Sequence, residues 1–395
     1  MVMETYPLPM RSGSAIVGFN TMEQLSRHHA IDFICFEPEK GGHELASIVS
    51  HVHLIPPQAN SSAGSVARFL SRLLFWISPS RNLRGDRNLR SAISKLVSEG
   101  CYDAILLFEL SAVKHFPKQL LHRLAVNIED PQSIRISRMA RLPVWSWRNR
   151  MKFMIVAELT RRYEAAILPR IGKVLLLSRK DMDDFRKQGN YSNLAYVPYG
   201  VTPKRAAEIN PYENRKKVIV YTGNMFHPPN VDGALYFLND IFPHVLRIDP
   251  SATFCIVGAE PDARIFQAAE RYGSSVEITG RVANLASYLE SAVVSVCPVR
   301  LEIGVQTKIL ESLSFGTPVV TTNAGNRGIG ATSGMHLYAV DDVKDFAQKI
   351  CELIRGRNWS ALSENGLQFV TNNFSWKESA RELEIHLSNL AGSGA

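Results

Sequence analysis

Short apolar runs alternate with helix-length stretches along nearly the whole chain, and that alternation admits few folds. In the first half, strands are expected near Ile31–Phe36, Ala104–Phe108, Leu124–Ile128, Lys173–Leu177 and Ala195–Val197. Helices are expected near Ser14–His28, Val66–Trp76, Arg87–Ser98, Ile155–Ile167 and Arg179–Gln188. The second half repeats the rhythm, with strands near Val218–Tyr221, Thr253–Val257, Val276–Thr279, Val293–Cys297, Pro318–Thr321 and Leu337–Val340. Parallel strands need a crossover, usually a helix, and lie buried on both faces, so each reads as a continuous apolar run. The pattern predicts an α/β protein with two doubly wound Rossmann-like domains. Two domains also suit 395 residues, because single cores rarely grow past roughly 250–300 residues. The stretch Pro198–Arg215 is rich in Pro, Asn and charge and lacks periodicity, so it reads as the joint. The expected division is a domain over 1–200, a linker over 201–215, a domain over 216–375 and a C-terminal helix over 376–395 that crosses back to the first domain. No low-complexity segment and no shorter repeat is present.

Hydrophobic residues make up 45% of the chain and charged residues 21%, the balance of a soluble globular protein. The cysteines, Cys35, Cys101, Cys255, Cys297 and Cys351, are scattered, without a CxxC or Cys/His cluster. Neither a zinc site nor a disulfide framework is suggested, which favours a reducing, cytoplasmic compartment. The opening MVMETYPLPMRSG lacks the apolar core of a signal peptide, and no apolar run reaches the roughly 18–20 residues that span a bilayer. These features predict a soluble or peripheral protein.

Charge is unevenly placed. Residues 1–205 hold 29 Lys and Arg against 17 Asp and Glu, a balance of +12, whereas residues 206–395 hold 16 against 20, a balance of −4. Such asymmetry signals an anionic partner for the first half. Two segments concentrate it: Ser65–Leu96, with seven Arg or Lys against one Asp, and Trp145–Arg162, WSWRNRMKFMIVAELTRR. Cations interleaved with Trp, Phe, Leu and Ile suit the surface of an anionic membrane. The alternatives are core helices with a solvated Arg-rich face and, less well matched for want of any recognition module, nucleic acid.

The chemistry concentrates in Pro298–Thr322, PVRLEIGVQTKILESLSFGTPVVTT. An apolar run, Val293–Cys297, feeds a loop containing Gly304; a helical pattern opens near Val305; a second apolar run follows Gly316. A loop that ends in a helix N-terminus presents free N–H groups and a positive dipole end to a phosphate. Lys308 in the first turn adds a cationic donor, and Glu311, on the same face, can accept two hydrogen bonds from a vicinal diol such as a ribose. Phosphate plus diol points to a nucleotide. The plain alternative is strand–helix–strand punctuation with an i,i+3 surface ion pair.

The segment resembles the donor-nucleotide motif of the retaining family-4-type glycosyltransferases of the GT-B fold. It is most similar to the subgroup whose motif runs P-x-R-x-x-x-G-x-x-x-K-x-L-E-x-x-x-x-G-x-P-V-V, here Pro298, Arg300, Gly304, Lys308, Leu310, Glu311, Gly316, Pro318, Val319 and Val320. VIVYTGN (Val218–Asn224), PPNVDGALYFLNDIFP, ATFCIVGAEP, VEITGRV and the closing FSW stand in family order. The likeness covers nearly all of 215–390 and, more weakly, much of 10–200. It implies two domains facing a cleft, an N-terminal acceptor domain and a C-terminal donor domain. It further implies metal-independent transfer of a hexose from a UDP- or GDP-linked sugar to an acceptor hydroxyl with retention, in cell-surface polysaccharide or glycolipid synthesis.

The resemblance assigns roles residue by residue. Lys308 and the backbone amides of Gly304, Val305 and Gln306 face the leaving diphosphate, and Glu311 holds the ribose. Gly223 and Asn224 follow a strand and approach the donor; the alternative is a turn glycine and a tolerant Asn. Val282, beside Arg281, offers backbone contacts to the base. Ser12 and Gly13 stand at the flexible loop near the diphosphate, or simply cap a helix. His227 shapes the turn before a helix that Asn230 caps. Many relatives carry a second Glu eight positions before Glu311; here Ile303 stands there, and Arg300 and Glu302 are the nearest candidates for touching the sugar. No metal site is implied: Asp183–Asp184 and Asp341–Asp342 read as surface, and no cofactor beyond the donor substrate is expected. The short segment Val2–Tyr6 departs from the family's full first strand.

On the acceptor side, Glu109, Glu129 and Asp130 follow strands and are candidates to face the cleft, with Asp130 as a helix N-cap the alternative. The basic first half suits a phosphate-bearing acceptor, such as a polyprenyl diphosphate-linked glycan at the inner leaflet. A nucleotide-sugar epimerase of the same fold and a non-catalytic assembly partner are the competing readings.

Overall fold

The computed structural model describes residues 1–10, 13–38, 41–42, 44–56, 86–100, 102–143, 145–302 and 304–392. The helix expected at Val66–Trp76 lies outside them, as does most of the first basic segment. The chain divides into two units. Unit 1 comprises Met1–Ile136, Met154–Gly200 and Trp376–Ala395, and unit 2 comprises Ser137–Phe153 and Val201–Ser375. A first domain running unbroken over 1–200 is thereby corrected: Ser137–Phe153 groups with unit 2, where Arg138 donates to the Glu302 carbonyl.

In unit 1, α1 (Gly13–Leu25) leads to β1 (Asp32–Phe36), and β2 (His51–Ile55) pairs with β1 in parallel. After α2 (Arg87–Glu99) come β3 (Ile105–Phe108), β4 (Leu124–Asn127), α3 (Gln132–Met139), α4 (Trp147–Ile167), β5 (Lys173–Leu176), α5 (Arg179–Gln188) and β6 (Leu194–Tyr196); the end of α3 from Ser137 and the start of α4 up to Phe153 group with unit 2. The sheet runs β3-β4-β5-β6, all parallel. The short N-terminal strand is a single residue, Val2, which bridges to Ile34 of β1 and to Leu107 of β3. β3, β4 and most of β5 are buried, and Leu107, Val126 and Val174 enter one core with Leu89 of α2 and Phe185 of α5. The last helix, Trp376–Gly392, belongs to this unit and packs on α1, with His29 3.0 Å from Glu384.

Unit 2 holds a six-stranded parallel sheet, built from β7 (Lys216–Thr222), β8 (Thr253–Val257), β9 (Val276–Gly280), β10 (Ala292–Cys297), β11 (Val319–Thr321) and β12 (Tyr338–Ala339). Their spatial order is β12-β11-β10-β7-β8-β9. The order reverses beside β7, the place where open α/β sheets take ligands at their carboxyl edge. The crossovers include α6 (Pro228–Tyr236), α7 (Phe242–Ile248), α8 (Ala263–Ala269), α9 (Leu285–Ser291) and α10 (Thr307–Ser314). A single π turn, Phe237–Ile241, joins α6 to α7, with the Phe242 N–H reaching back to the Phe237 carbonyl. Pro243 has no N–H to continue an α ladder, and the wider turn absorbs the break. Phe237, Phe242, Phe254 and Phe346 gather at the heart of this core, the Phe237 and Phe254 rings 4.3 Å apart. Among the described residues no helix is long and apolar enough to cross a membrane.

Candidate functional site

The site of unit 2 starts at the end of β7. Tyr221 and Thr222 are buried, and Gly223 follows at φ +152°, where a side chain is strained. A Cβ on Gly223 would lie 2.9 Å from Asn230 Nδ2 and 3.2 Å from Lys308 Nζ. The turn is therefore backbone laid directly against two polar side chains.

The expectation that Asn230 caps α6 is corrected. His227 takes the N-cap position without capping the helix through its side chain, and Pro228 opens the helix. That leaves Asn230 free to bridge: its Nδ2 donates to the Asn224 carbonyl at 2.9 Å, and its Oδ1 accepts from Lys308 Nζ at 2.5 Å. Lys308 also stands 4.9 Å from the centre of the Tyr221 ring. Burial pushes its ammonium pKa down, against the pull of Cys297 and Glu311. A poorly solvated ammonium with a neutral partner is a ready binder of phosphate oxygens.

One turn further along α10, burial raises the Glu311 carboxyl to about 7, and Lys308 opposes the rise. Gln306 occupies the N-cap position of α10 and supplies no side-chain cap bond. The first amides of α10 thus carry no side-chain cap. Gly304, at φ +56°, turns the preceding loop, and a Cβ on Gly328 would fall 1.9 Å from the Gly304 carbonyl oxygen. Val305 and Gln306 are half-buried between these features.

Arg300 has a different employment from the one expected. Its Nε and Nη2 donate to the two carboxylate oxygens of buried Asp232 at 3.0 and 2.6 Å, and its guanidinium lies 4.7 Å from the Tyr236 ring centre. This fork ties the loop after β10 to α6, 68 positions away in sequence. Nothing in the sequence pattern marks Asp232 as its partner. Glu302 is exposed and stands 3.4 Å from Arg327. Val282 is half-buried against Val220, Cys255, Val257 and Leu289, and Arg281 is exposed.

In unit 1, Ser12 lies outside the described residues, and Gly13 opens α1. A Cβ on Gly13 would lie 3.4 Å from Glu129 Oε2. Glu129 and Glu109, which follow β4 and β3, both adopt positive φ, 55° and 74°. Glu129 Oε1 is buried without a hydrogen-bond partner. Burial first, then the charges of Asp130 and Glu109, raise its carboxyl to about 8. Asp130, weighed as a helix cap, pairs with Arg135 at 3.1 Å. Of the carboxylates read as surface, Asp184 is buried and 3.1 Å from Lys187 Nζ, because α5 turns it inward. Asp342 instead caps the helix Val343–Ile354.

The geometry meets its likeness in known proteins. A protein of Klebsiella pneumoniae described as an uncharacterised 44.6 kDa protein in the cps region is 22% identical over 213 residues, which span 52% of this chain and 53% of that protein. Among solved structures, the sucrose-phosphate synthase of Thermosynechococcus elongatus superposes with a TM-score of 0.73 at 16% identity, covering 99% of each chain. The Anabaena HepE protein, solved in complex with UDP and glucose, superposes with a TM-score of 0.67 at 13% identity, covering 98% of each chain. Two Rossmann-like domains in this arrangement of elements make the fold GT-B. Residues 216–356, which carry Gly223, Asn230, Lys308 and Glu311, match the family model described as glycosyl transferases group 1.

Proposed function

We propose that this chain is a retaining glycosyltransferase that moves a hexose from a nucleoside diphosphate sugar to an acceptor hydroxyl, without a metal. The observation that carries the reading is the contact of Lys308 with Asn230 and the Gly223 turn, one helical turn from Glu311. Departure of the diphosphate is the charge-building step, and stabilising it is the largest task for the protein. Lys308, released from Asn230, donates to a diphosphate oxygen, and the amides of Gly304, Val305 and Gln306 at the start of α10 add dipoles aimed at the same charge. The Glu311 carboxylate accepts from the ribose diol. Gly223 and Asn224 bring backbone to the donor, and Val282 stands by the base. Arg300 is a positioning residue that fixes the loop carrying Glu302, the group nearest the transferred sugar. UDP is the favoured nucleotide, because a protein of this fold was solved with it.

The acceptor reading rests on charge. The +12 balance of residues 1–205 suits a glycan carried on a lipid phosphate, in cell-surface polysaccharide or glycolipid synthesis.

Thermal unfolding with UDP, GDP and their sugar conjugates tests the donor site, since a ligand of the native state alone raises its stability. One nucleotide is expected to raise the midpoint, and Lys308→Ala to weaken its binding by about tenfold or more, the loss of one charge-assisted contact. No shift with any nucleotide would favour a non-catalytic partner. A sugar nucleotide converted to its epimer without release of nucleoside diphosphate would favour an epimerase.

A further inference from the structure

The side chains of β7 alternate between the two faces of the sheet of unit 2. Ile219 and Tyr221 point into the core that holds Phe237 and Phe254. Val220 points the other way, into a smaller core with Cys255, Val257 and Leu289 of α9. Thr222, the last residue of β7, shares the face of Val220. α10 lies on that face too. Ser312 Oγ of α10 donates to Ser295 Oγ at 2.8 Å, and Ser295 of β10 stands in register with Val220. A helix joining two parallel strands runs back against them. One turn toward the start of α10, about 5.4 Å, therefore climbs as far as two residues along β7, about 6.6 Å. Thr222 is thus level with the first turn of α10, and a Cβ on the next residue, Gly223, would lie 3.2 Å from Lys308 Nζ.

Thr222 is 1% exposed, and among the described residues its hydroxyl has no hydrogen-bond partner. The other buried threonines of unit 2 each bond a backbone carbonyl: Thr317 that of Leu289 at 2.7 Å, Thr321 that of Cys297 at 2.8 Å, and Thr322 that of Val299. Burying a hydroxyl without a partner costs stability, and native folds avoid it. Here the exception stands at the carboxyl edge of the sheet where the strand order reverses, beside Lys308 and a helix start without a side-chain cap. An ammonium, amides and a hydroxyl are all donors, and the acceptor that suits them together is an anionic oxygen with no proton of its own.

We propose that the Thr222 hydroxyl donates to a phosphate oxygen of the bound nucleoside diphosphate. The contact rests on the donor site proposed for this unit and adds to it an uncharged residue. Its unmet hydrogen bond destabilises the empty protein and is completed only by the ligand.

Isothermal titration of wild type, Thr222→Val and Thr222→Ser with UDP and with GDP tests it, beside the unliganded thermal midpoint of each protein. Thr222→Val keeps the shape of the side chain and removes the donor. It is expected to weaken nucleotide binding by about tenfold, the loss of one hydrogen bond to a charged group, and to leave the unliganded midpoint equal to that of wild type or higher. Thr222→Ser restores the hydroxyl and should bind within about twofold of wild type, although the lost methyl lowers its midpoint. If Thr222→Val binds like wild type, or if its unliganded midpoint falls, the hydroxyl serves the fold and the proposal fails. It fails also if Thr222→Ser binds as weakly as Thr222→Val, which would give the effect to the methyl. A wild type that binds neither nucleotide removes the donor site itself and this contact with it, whereas equal binding by wild type and Thr222→Val removes the contact alone.

Discussion

At the scale of single residues, unit 2 is organised by polar atoms that the core has half-withdrawn from water. Glu311 is one of them: burial lifts its carboxyl to about 7, so near neutrality it is divided between acid and anion. Only the anion accepts two hydrogen bonds from a diol. Nucleotide affinity should therefore rise as pH increases through about 7, and Glu311→Gln should bind more weakly with a flat profile. Isothermal titration at a series of pH values checks this, and a profile unchanged by Glu311→Gln would remove Glu311 from the ribose. Lys308 and Glu311 could be singled out from sequence because their chemistry is local, two side chains one turn apart behind a glycine loop. Asn230 and Asp232 could not, because their meaning comes from Lys308 and Arg300, which lie 78 and 68 positions away. A residue whose partner is distant carries no pattern of its own.

At the scale of elements, the first strand of unit 2 is anchored by a buried cation held chiefly by backbone carbonyls. Arg215 donates through Nε to the Asn210 carbonyl, through Nη1 to Leu289, Ala292 and Thr317, and through Nη2 to Phe315 and Gly316, at distances from 2.7 to 3.4 Å. Trp359 covers its guanidinium at 4.9 Å. One side chain thus closes the entry to β7, the end of α9 and the turn after α10. Arg215→Met strands several buried carbonyls and should cost about 3 kcal/mol or more, read by denaturant unfolding. The loss should leave the m-value unchanged, since the same surface is exposed on unfolding. Elements were legible where burial is two-sided: β3, β4 and β10 are buried along their whole length, and Asn127 and Ser295 are the polar residues in them. β2, HVHLI, was missed because its residues are exposed or half-exposed and two of them are His. The start of α4 was expected at Ile155 and lies at Trp147. Its first two turns carry Trp147, Met151 and Met154 on the solvent side, so no single apolar face announces them.

At the scale of the whole molecule, buried acids set how stability responds to pH. Glu129 is raised to about 8, Glu164 to about 7 by burial foremost, and Glu311 to about 7. Each native carboxyl keeps its proton where the unfolded chain, near its ordinary value of 4.5, has released it. The folded state then binds more protons than the unfolded one, so this stability is full below about 4.5 and is lost as pH rises through 7 and 8. Glu4 has the opposite sign. Burial would raise it, but hydrogen bonds from His115 and Lys114 outweigh that and hold it near 2, so its contribution is lost only in strong acid. Thermal midpoints should fall between about pH 4.5 and 8, and Glu129→Gln with Glu164→Gln should flatten the fall; an unchanged slope would show that these carboxyls do not govern it.

The single bridging residue of unit 1 has a mechanical consequence. Val2 donates to the Leu106 carbonyl and accepts from the Phe108 N–H, and Met3 donates to Ile34 on its other side. Among the described residues β1 and β3 share no backbone bond with each other, so the backbone of the sheet is pinned there by the opening residues, while Ile34 of β1 and Leu107 of β3 share one core. Slow exchange of backbone hydrogens should therefore stop at that pin instead of fading evenly across the sheet.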